Sequence, residues 1–284
     1  MTPSAAGRPP LALRLLAHLI VYAVAMTMLV PFAWMVLTSL KTDVEAGQPP
    51  TLATLLPRHG WQWGNYAAAF RNSRLGDFYR MSISVAIVTT VLAVAHNTLA
   101  GYAFAKLRFR GKRISFLLTM ATMMLPVQVF FIFAYVICSW IGYVDNFQAL
   151  VVPFLASGFG IFYMRQAVAS VPDDLLDAAR IDGMGEFDIV WTVVRPIVWP
   201  SISALAIFTF VNSWNSFFWP LIVIDSIEKK TLPLAIADLA SNMYFSAWPQ
   251  TMAAGTILVL PLVLVFFIAQ RAFVRGVAMT GMKE

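Results

Sequence analysis

Apolar side chains occur along this chain in long runs, and most charged residues lie in the stretches between the runs. A helix needs roughly 20 consecutive apolar residues to cross the hydrocarbon core of a membrane, which is about 30 Å thick. Six runs reach that length, so the pattern predicts an all-α, polytopic membrane protein with six transmembrane helices. The predicted spans are residues 15–38, 81–105, 114–137, 147–168, 200–224 and 252–270.

The composition supports a lipid environment for these runs. Hydrophobic residues make up 60% of the 284 positions and charged residues only 12%, whereas a soluble domain carries about a quarter charged residues. The first run is too long for a signal peptide and lacks a small-residue cleavage site, so it is predicted to remain as a helix. The single cysteine, Cys138, has no partner for an intrachain disulfide or a metal site, and a buried apolar role is predicted for it.

The positive charges predict which side of the membrane each loop faces. The chain has 20 Lys and Arg against 14 Asp and Glu, but no basic patch stands apart from the apolar runs, so nucleic acid is not indicated. With a cytoplasmic N-terminus, 13 of the 20 basic residues fall on the cytoplasmic side, including a cluster at 106–113. Both termini are therefore predicted to be cytoplasmic.

The predicted segments of the chain are a cytoplasmic N-terminus at 1–14, a first transmembrane helix at 15–38, an outer loop at 39–80, a transmembrane domain at 81–272 and a cytoplasmic C-terminus at 273–284.

The loops predicted to face outward differ in character. The first contains several prolines and an aromatic stretch at 61–66, which predicts that it is ordered. The second, around 142–146, is predicted to be a tight turn. The third, at 225–251, is of medium length and holds both basic and acidic residues.

The segment at 169–198, predicted to be cytoplasmic, is polar yet has a helical pattern. Pro172 suits the first position of a helix, where its missing N–H costs nothing, and the two aspartates after it favour the positive end of the helix dipole. Gly183 is placed to end this short amphipathic helix in a left-handed conformation. A second helix is predicted from Glu186 to Pro196. The pattern alone is equally compatible with a helix that rests on the membrane surface.

A set of residues in this segment resembles the EAA loop of binding-protein-dependent ABC importers. Asp177-Ala178-Ala179 is followed by Asp182-Gly183, and Pro196 stands thirteen residues after the glycine. Flanking residues, together covering most of the chain, are similar to the carbohydrate branch of that family, the maltose and lactose type. They are Pro172-Asp173-Asp174-Leu175-Leu176, Ile207-Phe208-Thr209-Phe210, Trp214-Asn215, Trp219-Pro220-Leu221 and Gln270-Arg271-Ala272-Phe273-Val274-Arg275-Gly276.

The resemblance implies a type I ABC importer permease fold in a bacterial inner (plasma) membrane. In such importers the loop forms a short coupling helix that sits in a cleft of a separate ATPase. The implied partners are a second permease subunit in a heterodimer, an ATPase dimer, an extracytoplasmic solute-binding protein, membrane lipid and a carbohydrate substrate, which in this branch is an oligosaccharide, a monosaccharide, a polyol or glycerol 3-phosphate. ATP and Mg would be bound by the ATPase, so no cofactor, metal or catalytic residue is expected in this chain. The implied ATPase-coupling residues are Asp177, Ala178, Ala179, Asp182 and Gly183.

Two positions depart from the family pattern. Asp177 stands where the family usually has glutamate, which shortens the reach of the carboxylate by one methylene. Arg195 stands where leucine usually precedes the proline, and its long side chain can reach the membrane interface. Within the motif, Ala178 and Ala179 allow another backbone to approach closely, and any side chain at Gly183 is expected to occupy space where only hydrogen fits.

Candidate substrate contacts lie on the fifth predicted span. At about 100° per residue, Phe208, Asn212, Asn215 and Trp219 fall within roughly a 60° sector of one helix. Amides between aromatic rings suit a sugar, whose hydroxyls need hydrogen bonds and whose C–H faces stack on rings. The alternative is that the asparagines bond to neighbouring helices, because a buried amide without partners costs about 2–7 kcal/mol.

Other features predict helix contacts and bends. Small side chains recur every four residues on the second span and predict a helix-contact surface, and His96 beside them is predicted to be a hydrogen-bonded core residue. The small residues are Ala93, Asn97, Gly101 and Ala105, and bends are predicted at Pro31, Pro126 and Ser157-Gly158-Phe159-Gly160.

Three other functions are compatible with a chain that spans the membrane. An ion-gradient-driven secondary sugar transporter would place carboxylates within the membrane, but none of the six predicted spans contains Asp or Glu. A channel would need a charged ring or a filter loop, and the sequence has neither. An intramembrane enzyme would need a nucleophile–base or metal constellation, which three scattered histidines and one cysteine do not supply. The chain also lacks a nucleotide-binding loop, because its only Gly-Lys pair, Gly111-Lys112, is followed by Arg113.

Overall fold

The structure is a computed structural model that describes residues 11–51, 54–72, 74–241 and 248–281, with Asn72 and residues 269–281 described by their backbone alone. The predicted N-terminal segment before residue 11 and the last three residues of the predicted C-terminal segment lie outside these ranges. Every regular element in the described ranges is helical. The helices are α1 (Leu11–Ser39), α2 (Asp43–Ala46), α3 (Gly64–Asn72), α4 (Leu75–Lys106), α5 (Lys112–Thr122), α6 (Val127–Trp140), α7 (Phe147–Val151) with a 3₁₀ turn (Val152–Phe154), α8 (Gly158–Ala169), α9 (Asp173–Ile181), α10 (Glu186–Ile189), a π-helical turn (Val190–Val194), α11 (Arg195–Trp214), α12 (Phe218–Val223), a second 3₁₀ turn (Ile227–Lys229), α13 (Leu232–Ser241) and α14 (Trp248–Gly281).

The six predicted spans correspond to four continuous helices and two broken ones. The helices α1, α4, α10 through α11, and α14 as far as Ile268 are each long and apolar enough to cross a membrane. The third predicted span consists of α5 and α6, which are bent by 107°, and the fourth consists of α7 with its 3₁₀ turn and α8, which are bent by 45°. The predicted all-α, polytopic class is confirmed.

The chain divides into two compact units, and the first contains α1 to α3 and the start of α14. The apolar side chains of α1 are exposed along most of its length, as expected of a helix that faces lipid. At the end of α1, the Tyr66 hydroxyl lies 2.8 Å from Ser39 Oγ. The Asn65 side-chain amide donates to the carbonyls of Ser39 and Lys41, at 2.9 Å each. The prediction that the first outer loop is ordered is therefore confirmed.

Glu45 is the central hydrogen-bond acceptor of the same loop. Its carboxylate accepts from the backbone N–H groups of Thr42 at 3.0 Å, Arg58 at 2.7 Å and His59 at 3.0 Å, and the residue is only 6% exposed. These bonds, that from Thr42 foremost, outweigh the opposing effect of burial and lower the pKa of Glu45 from 4.5 to about 2. The ionised carboxylate therefore stabilises the folded loop.

In the second unit, α4 packs against α8 and α11. The stripe of small residues predicted on this helix makes the contact, since Ala93, Asn97 and Gly101 are all buried. A Cβ atom at Gly101 would lie 2.7 Å from Met164 Cβ and 2.8 Å from the Arg165 backbone nitrogen. The absence of a side chain at Gly101 thus sets how closely α4 and α8 approach, as predicted.

The break between α7 and α8 is stabilised by Asn97 of α4, which is 1% exposed. Its side-chain oxygen accepts from the Ser157 N–H at 3.1 Å, and its side-chain N–H donates to the Leu155 carbonyl at 3.4 Å. The Ser157 hydroxyl in turn accepts from the Gly160 N–H at 3.2 Å. A Cβ atom at Gly160 would lie 2.8 Å from Asn97 Cγ, so this glycine admits the asparagine. The predicted bend at 157–160 and the predicted close helix approach both occur.

The fifth predicted span is shifted along the chain. A continuous helix runs from Glu186 to Trp214, through Pro196 and Pro200, so the predicted end of a separate helix at Pro196 is wrong. The π-helical turn explains the difference. Within it the Arg195 N–H bonds to the Val190 carbonyl, and the wider turn relieves the clash that a proline ring makes with the preceding turn.

Two further predictions on the spans are confirmed and one is wrong. The predicted bend at Pro126 occurs as a break between Thr122 and Val127, across which the two helices are bent by 107°, because a proline disfavours helical geometry in the residue before it. His96 is exposed rather than in the core. Cys138 is 2% exposed, as expected of a small buried side chain.

The turn at 142–146 is tight, as predicted, and it is joined to the end of α12. Gly142 and Asp145 have φ angles of +72° and +56°. The Asp145 carboxylate accepts from the backbone N–H groups of Asp225 at 3.1 Å and Ser226 at 2.9 Å. A further bond from the Ser226 hydroxyl is the largest cause that lowers the pKa of Asp145 to about 2.

Glu45→Gln is expected to lower the thermal stability of the protein at pH 7, because the neutral amide cannot replace a carboxylate acceptor for several N–H groups. Since the fold lowers the pKa of Glu45 from 4.5 to about 2, its contribution is complete above pH 4.5 and disappears as the pH falls through 2. The difference in Tm between variant and wild type should shrink over that range. Asp43→Asn, at an exposed position of the same helix, is the control, and an equal effect of both substitutions would contradict the role of Glu45.

Gly101→Ala is expected to destabilise the protein by roughly 1–3 kcal/mol, the usual cost of overpacking, because the added methyl group meets backbone and Cβ atoms of α8. The measurement is the thermal unfolding of the detergent-solubilised protein. Gly64→Ala is the matched control, since a Cβ atom there has nothing within 4 Å. Unchanged stability of the Gly101 variant would mean that α4 and α8 do not pack this closely.

Candidate functional site

The segment between α8 and α11 folds around the short helix α9, which begins after Pro172 and ends with a glycine cap. The Gly183 N–H donates to the Arg180 carbonyl and the Met184 N–H to the Ala179 carbonyl, at 3.0 Å each. This pair of bonds is the Schellman motif, which requires a left-handed residue after the helix. Gly183 has φ +83°, so the predicted stop at this residue is confirmed.

The reason for glycine at position 183 differs from the one expected. A Cβ atom there would have no neighbour within 4 Å, so the prediction that only hydrogen fits is wrong. The constraint is the backbone, because a left-handed conformation costs an L-residue roughly 1–2 kcal/mol. Asn and Asp tolerate this conformation better than other residues with side chains.

The two faces of α9 have different surroundings. Leu176 and Ala179 are buried in an apolar cluster with residues of α4, α8 and α11. On the other side Ala178 is exposed, Ile181 is 86% exposed and Phe187 of α10 is 62% exposed. Of the two alanines, only Ala178 is therefore accessible to another protein. Exposed apolar side chains that adjoin a polar segment are typical of a protein-interaction surface.

Arg180 joins the two short helices of this segment. Its guanidinium donates to Asp177 Oδ1 at 2.7 Å and to the two carboxylate oxygens of Glu186 at 2.9 and 3.3 Å. These bonds, that to Glu186 foremost, raise the pKa of Arg180 above its usual range. The sequence-predicted Asp177 thus has an intrachain partner, while Asp182 lies exposed at the end of α9. The shape of the segment depends on Arg180 and Glu186, which sequence analysis did not select.

The predicted substrate residues do not share one helix face. Phe208 and Asn212 lie partly exposed on α11, with the Phe208 ring 6.3 Å from that of Phe159, but α11 ends at Trp214, so Asn215 lies beyond its last turn. Trp219 belongs to α12, is 1% exposed, and donates its indole N–H to the Ala149 carbonyl at 2.8 Å. The prediction of a single sector is wrong, because it assumed an unbroken helix.

A polar cavity of about 420 Å³ lies at the opposite end of α4 from α9. Helix geometry places the two ends of this 32-residue helix about 48 Å apart. Inside the cavity, Arg74 bonds to Asp77 at 3.3 Å and to Glu228 at 3.2 Å. The sequence pattern does not predict this cavity, because its lining residues are distant in the chain. The lining residues are Arg74, Asp77, Arg80, Met81, Ser84, Phe147 and Glu228.

A family model described as "Binding-protein-dependent transport system inner membrane component" matches residues 97–279, a range that includes α9 and the helices on both sides of it. The chain belongs to this family. It is therefore a permease, a membrane transport component rather than an enzyme, and the reading as an ion-gradient-driven carrier is not supported.

Curated relatives align with the permease over most of its length. The arabinooligosaccharides transport system permease protein AraQ of Bacillus subtilis (strain 168) is 30% identical over 273 residues, which cover 93% of this chain and 96% of the relative. The lactose transport system permease protein LacG of Rhizobium radiobacter is 33% identical over 249 residues, covering 87% and 88%. The sn-glycerol-3-phosphate transport system permease protein UgpE of Yersinia enterocolitica serotype O:8 / biotype 1B (strain NCTC 13174 / 8081) is 32% identical over 245 residues, covering 82% and 85%.

Solved structures agree with the fold of the permease. A chain from a bacterial ABC transporter involved in the import of the acidic polysaccharide alginate has a TM-score of 0.83 at 19% identity, and the match covers 93% of this chain and 98% of that one. A chain of the bacterial alginate ABC transporter in complex with an alginate pentasaccharide-bound periplasmic protein has a TM-score of 0.62 at 11% identity, covering 92% and 97%. The fold is that of an ABC importer permease.

Gly183→Val is expected to weaken both the cap of α9 and transport by the permease, since a β-branched residue is unfavourable at φ +83°. Gly183→Asn should retain more activity than the valine variant, because asparagine tolerates this region. The measurements are membrane abundance and ATP-dependent uptake. Gly185→Val is the control, because Gly185 has an ordinary φ of −72°. Equal activity of the valine and asparagine variants at position 183 would contradict the backbone argument.

Proposed function

We propose that the permease forms, with a second permease subunit, the translocation path for a carbohydrate delivered by an extracytoplasmic binding protein. The observation that carries this proposal is the family match, which spans α9 and its flanking helices. The class of substrate is supported by relatives of nearly full length that are named for arabinooligosaccharides, lactose and sn-glycerol-3-phosphate. All three solutes carry hydroxyl groups, to which the exposed Asn212 of α11 can hydrogen-bond, and the C–H faces of a sugar can stack on the ring of Phe208.

The surface around α9 is the proposed docking site for a separate ATPase, which binds ATP and Mg. Two features support this role. Leu176 and Ala179 anchor the helix to the transmembrane bundle from within, and Ala178, Ile181 and Phe187 are exposed on its other side. A short helix that is anchored on one face and exposes apolar side chains on the other can transmit force between subunits, because its contacts resist bending.

The orientation in a bacterial inner membrane follows from the position of the basic cluster. Lys106, at the end of α4, forms an ion pair of 2.7 Å with Asp173 at the start of α9. The cluster at 106–113 and the α9 segment therefore lie on the same side, and the positive-inside rule makes that side cytoplasmic. Both termini are then cytoplasmic, and the polar cavity at the start of α4 faces outward, where the binding protein delivers its solute.

Reconstitution tests this function directly. The permease, purified with its partner subunits in proteoliposomes, should take up labelled arabinooligosaccharide, lactose or glycerol 3-phosphate only with both ATP and the binding protein present. Uptake driven by an ion gradient with this chain alone would contradict the proposal and support a secondary carrier. Uptake of an amino acid but of none of the hydroxyl-rich solutes would contradict the class of substrate.

Ile181→Ser is expected to reduce ATPase co-purification with the permease by on the order of tenfold or more, since a buried apolar anchor contributes strongly to an interface. The substitution should leave the membrane abundance of the permease unchanged, because Ile181 is exposed in the chain. Ile227→Ser, which removes an exposed isoleucine far from α9, is the control. Unchanged co-purification of the Ile181 variant would place the ATPase contact elsewhere.

A further inference from the structure

Helix α4, which is distant in sequence from α9, bonds to the chain segments on both sides of α9. Tyr102 and Lys106 lie one turn apart near the end of α4, so their side chains emerge on the same face. Tyr102 is 2% exposed, and its hydroxyl bonds to the Glu186 carboxylate. Lys106 Nζ donates to the Val171 carbonyl at 2.6 Å and to Asp173 Oδ1 at 2.7 Å.

These two contacts bracket α9. Val171 and Asp173 lie immediately before the helix and in its first turn, whereas Glu186 lies just beyond its glycine cap. Glu186 is also bonded to Arg180, in the last turn of α9. Each end of the helix is therefore attached to α4, directly at the start and through Arg180 and Glu186 at the end.

We propose that Tyr102 and Lys106 are positioning residues that carry the movement of the coupling helix α9 into α4. The inference rests on the proposed role of α9 as the ATPase contact, and it adds a third route to the two chain connections through α8 and α10. The apolar cluster around Tyr102, Leu176 and Val190 fills the space between the two attachments. A displacement of α9 then moves α4 with it, because no flexible segment separates them.

The packing of α4 determines which part of the bundle responds to that movement. Gly101 lets α4 pack closely against α8 at Met164. Asn97, one turn before Gly101, bonds to the break before α8. A shift of α4 along its axis therefore changes the hydrogen bonds at the interrupted span. The attachments at Tyr102 and Lys106 connect the ATPase side of the permease to the point where its fourth span is broken.

Tyr102→Phe tests the proposal, because it removes one hydroxyl and keeps the ring within the apolar cluster. In the complete reconstituted transporter we expect the yield of the complex, its Tm and its ATP hydrolysis to be retained. The solute moved per ATP hydrolysed should fall by on the order of tenfold, as for the loss of one hydrogen bond to a charged group. Tyr163→Phe is the matched control, since the Tyr163 hydroxyl has no hydrogen bond among the described residues. Lys106→Gln should lower the same ratio. Lys112→Gln should not, because the Lys112 ammonium bonds to the carbonyls of Ala105 and Leu107 and not to the α9 segment within the described part of the chain.

A double substitution separates the positioning role from a general loss of structure. If Tyr102 acts through Glu186, adding Tyr102→Phe to Glu186→Ala, which removes the acceptor, should lower the ratio no further than Glu186→Ala alone. A wild-type ratio in Tyr102→Phe would overturn the inference and leave the proposed function intact. A parallel fall in complex yield and Tm would overturn it as well, because the hydroxyl would then be merely structural. The wild-type transporter tests the proposed function independently, since it must show ATP-dependent uptake.

Discussion

Backbone polar groups inside an apolar span must find hydrogen-bond partners within the protein, and Asn97 provides them where the fourth span is interrupted. In lipid, each unsatisfied N–H or C=O group costs several kcal/mol. The break before α8 is stable because one buried side chain bonds to the Ser157 N–H and the Leu155 carbonyl. This requires α4 and α8 to approach closely, which the glycines at 101 and 160 permit. This contact fixes the position of α4 relative to α8, and with it the position of the residues that α4 bonds to at its ends.

The two ends of α4 have different chemistry, and this difference suits a transport subunit. At one end, Tyr102 and Lys106 are bonded to the segment that carries α9, and the outer face of that segment exposes Ile181 and Phe187 among charged side chains. At the other end, Arg74 is bonded to Asp77 and Glu228 in an open polar cavity. One helix thus connects the proposed ATPase-docking surface with the cavity at its other end. Under the proposed orientation, such a connection allows ATPase binding on one side of the membrane to affect the other side.

The residues that shape the candidate coupling site are more numerous than those of the motif. Of the motif residues, Gly183 has the predicted left-handed conformation and Ala178 is exposed. The fold of the segment depends equally on Arg180 and Glu186, which are paired across the glycine cap. Charged residues at the surface of a loop are common, and only their partners distinguish a structural pair from a solvated charge. No partner can be assigned from spacing when the chain between two residues reverses direction, as it does at Gly183.

The sequence by itself determined the class of the protein, the approximate spans and the α9 helix with its glycine stop, because these depend on local composition and short-range spacing. The family was indicated by the resemblance of the α9 segment and its flanking residues to known importers, which the family match bears out. Only the tertiary structure decided how the spans are interrupted. The helix from Glu186 continues through Pro196 because a π-helical turn accommodates the proline ring. Trp219 does not lie on the same helix face as Phe208 and Asn212, because α11 ends at Trp214. These outcomes depend on contacts between residues far apart in the chain. Helical periodicity cannot predict them, since it assumes that each apolar run forms one unbroken helix.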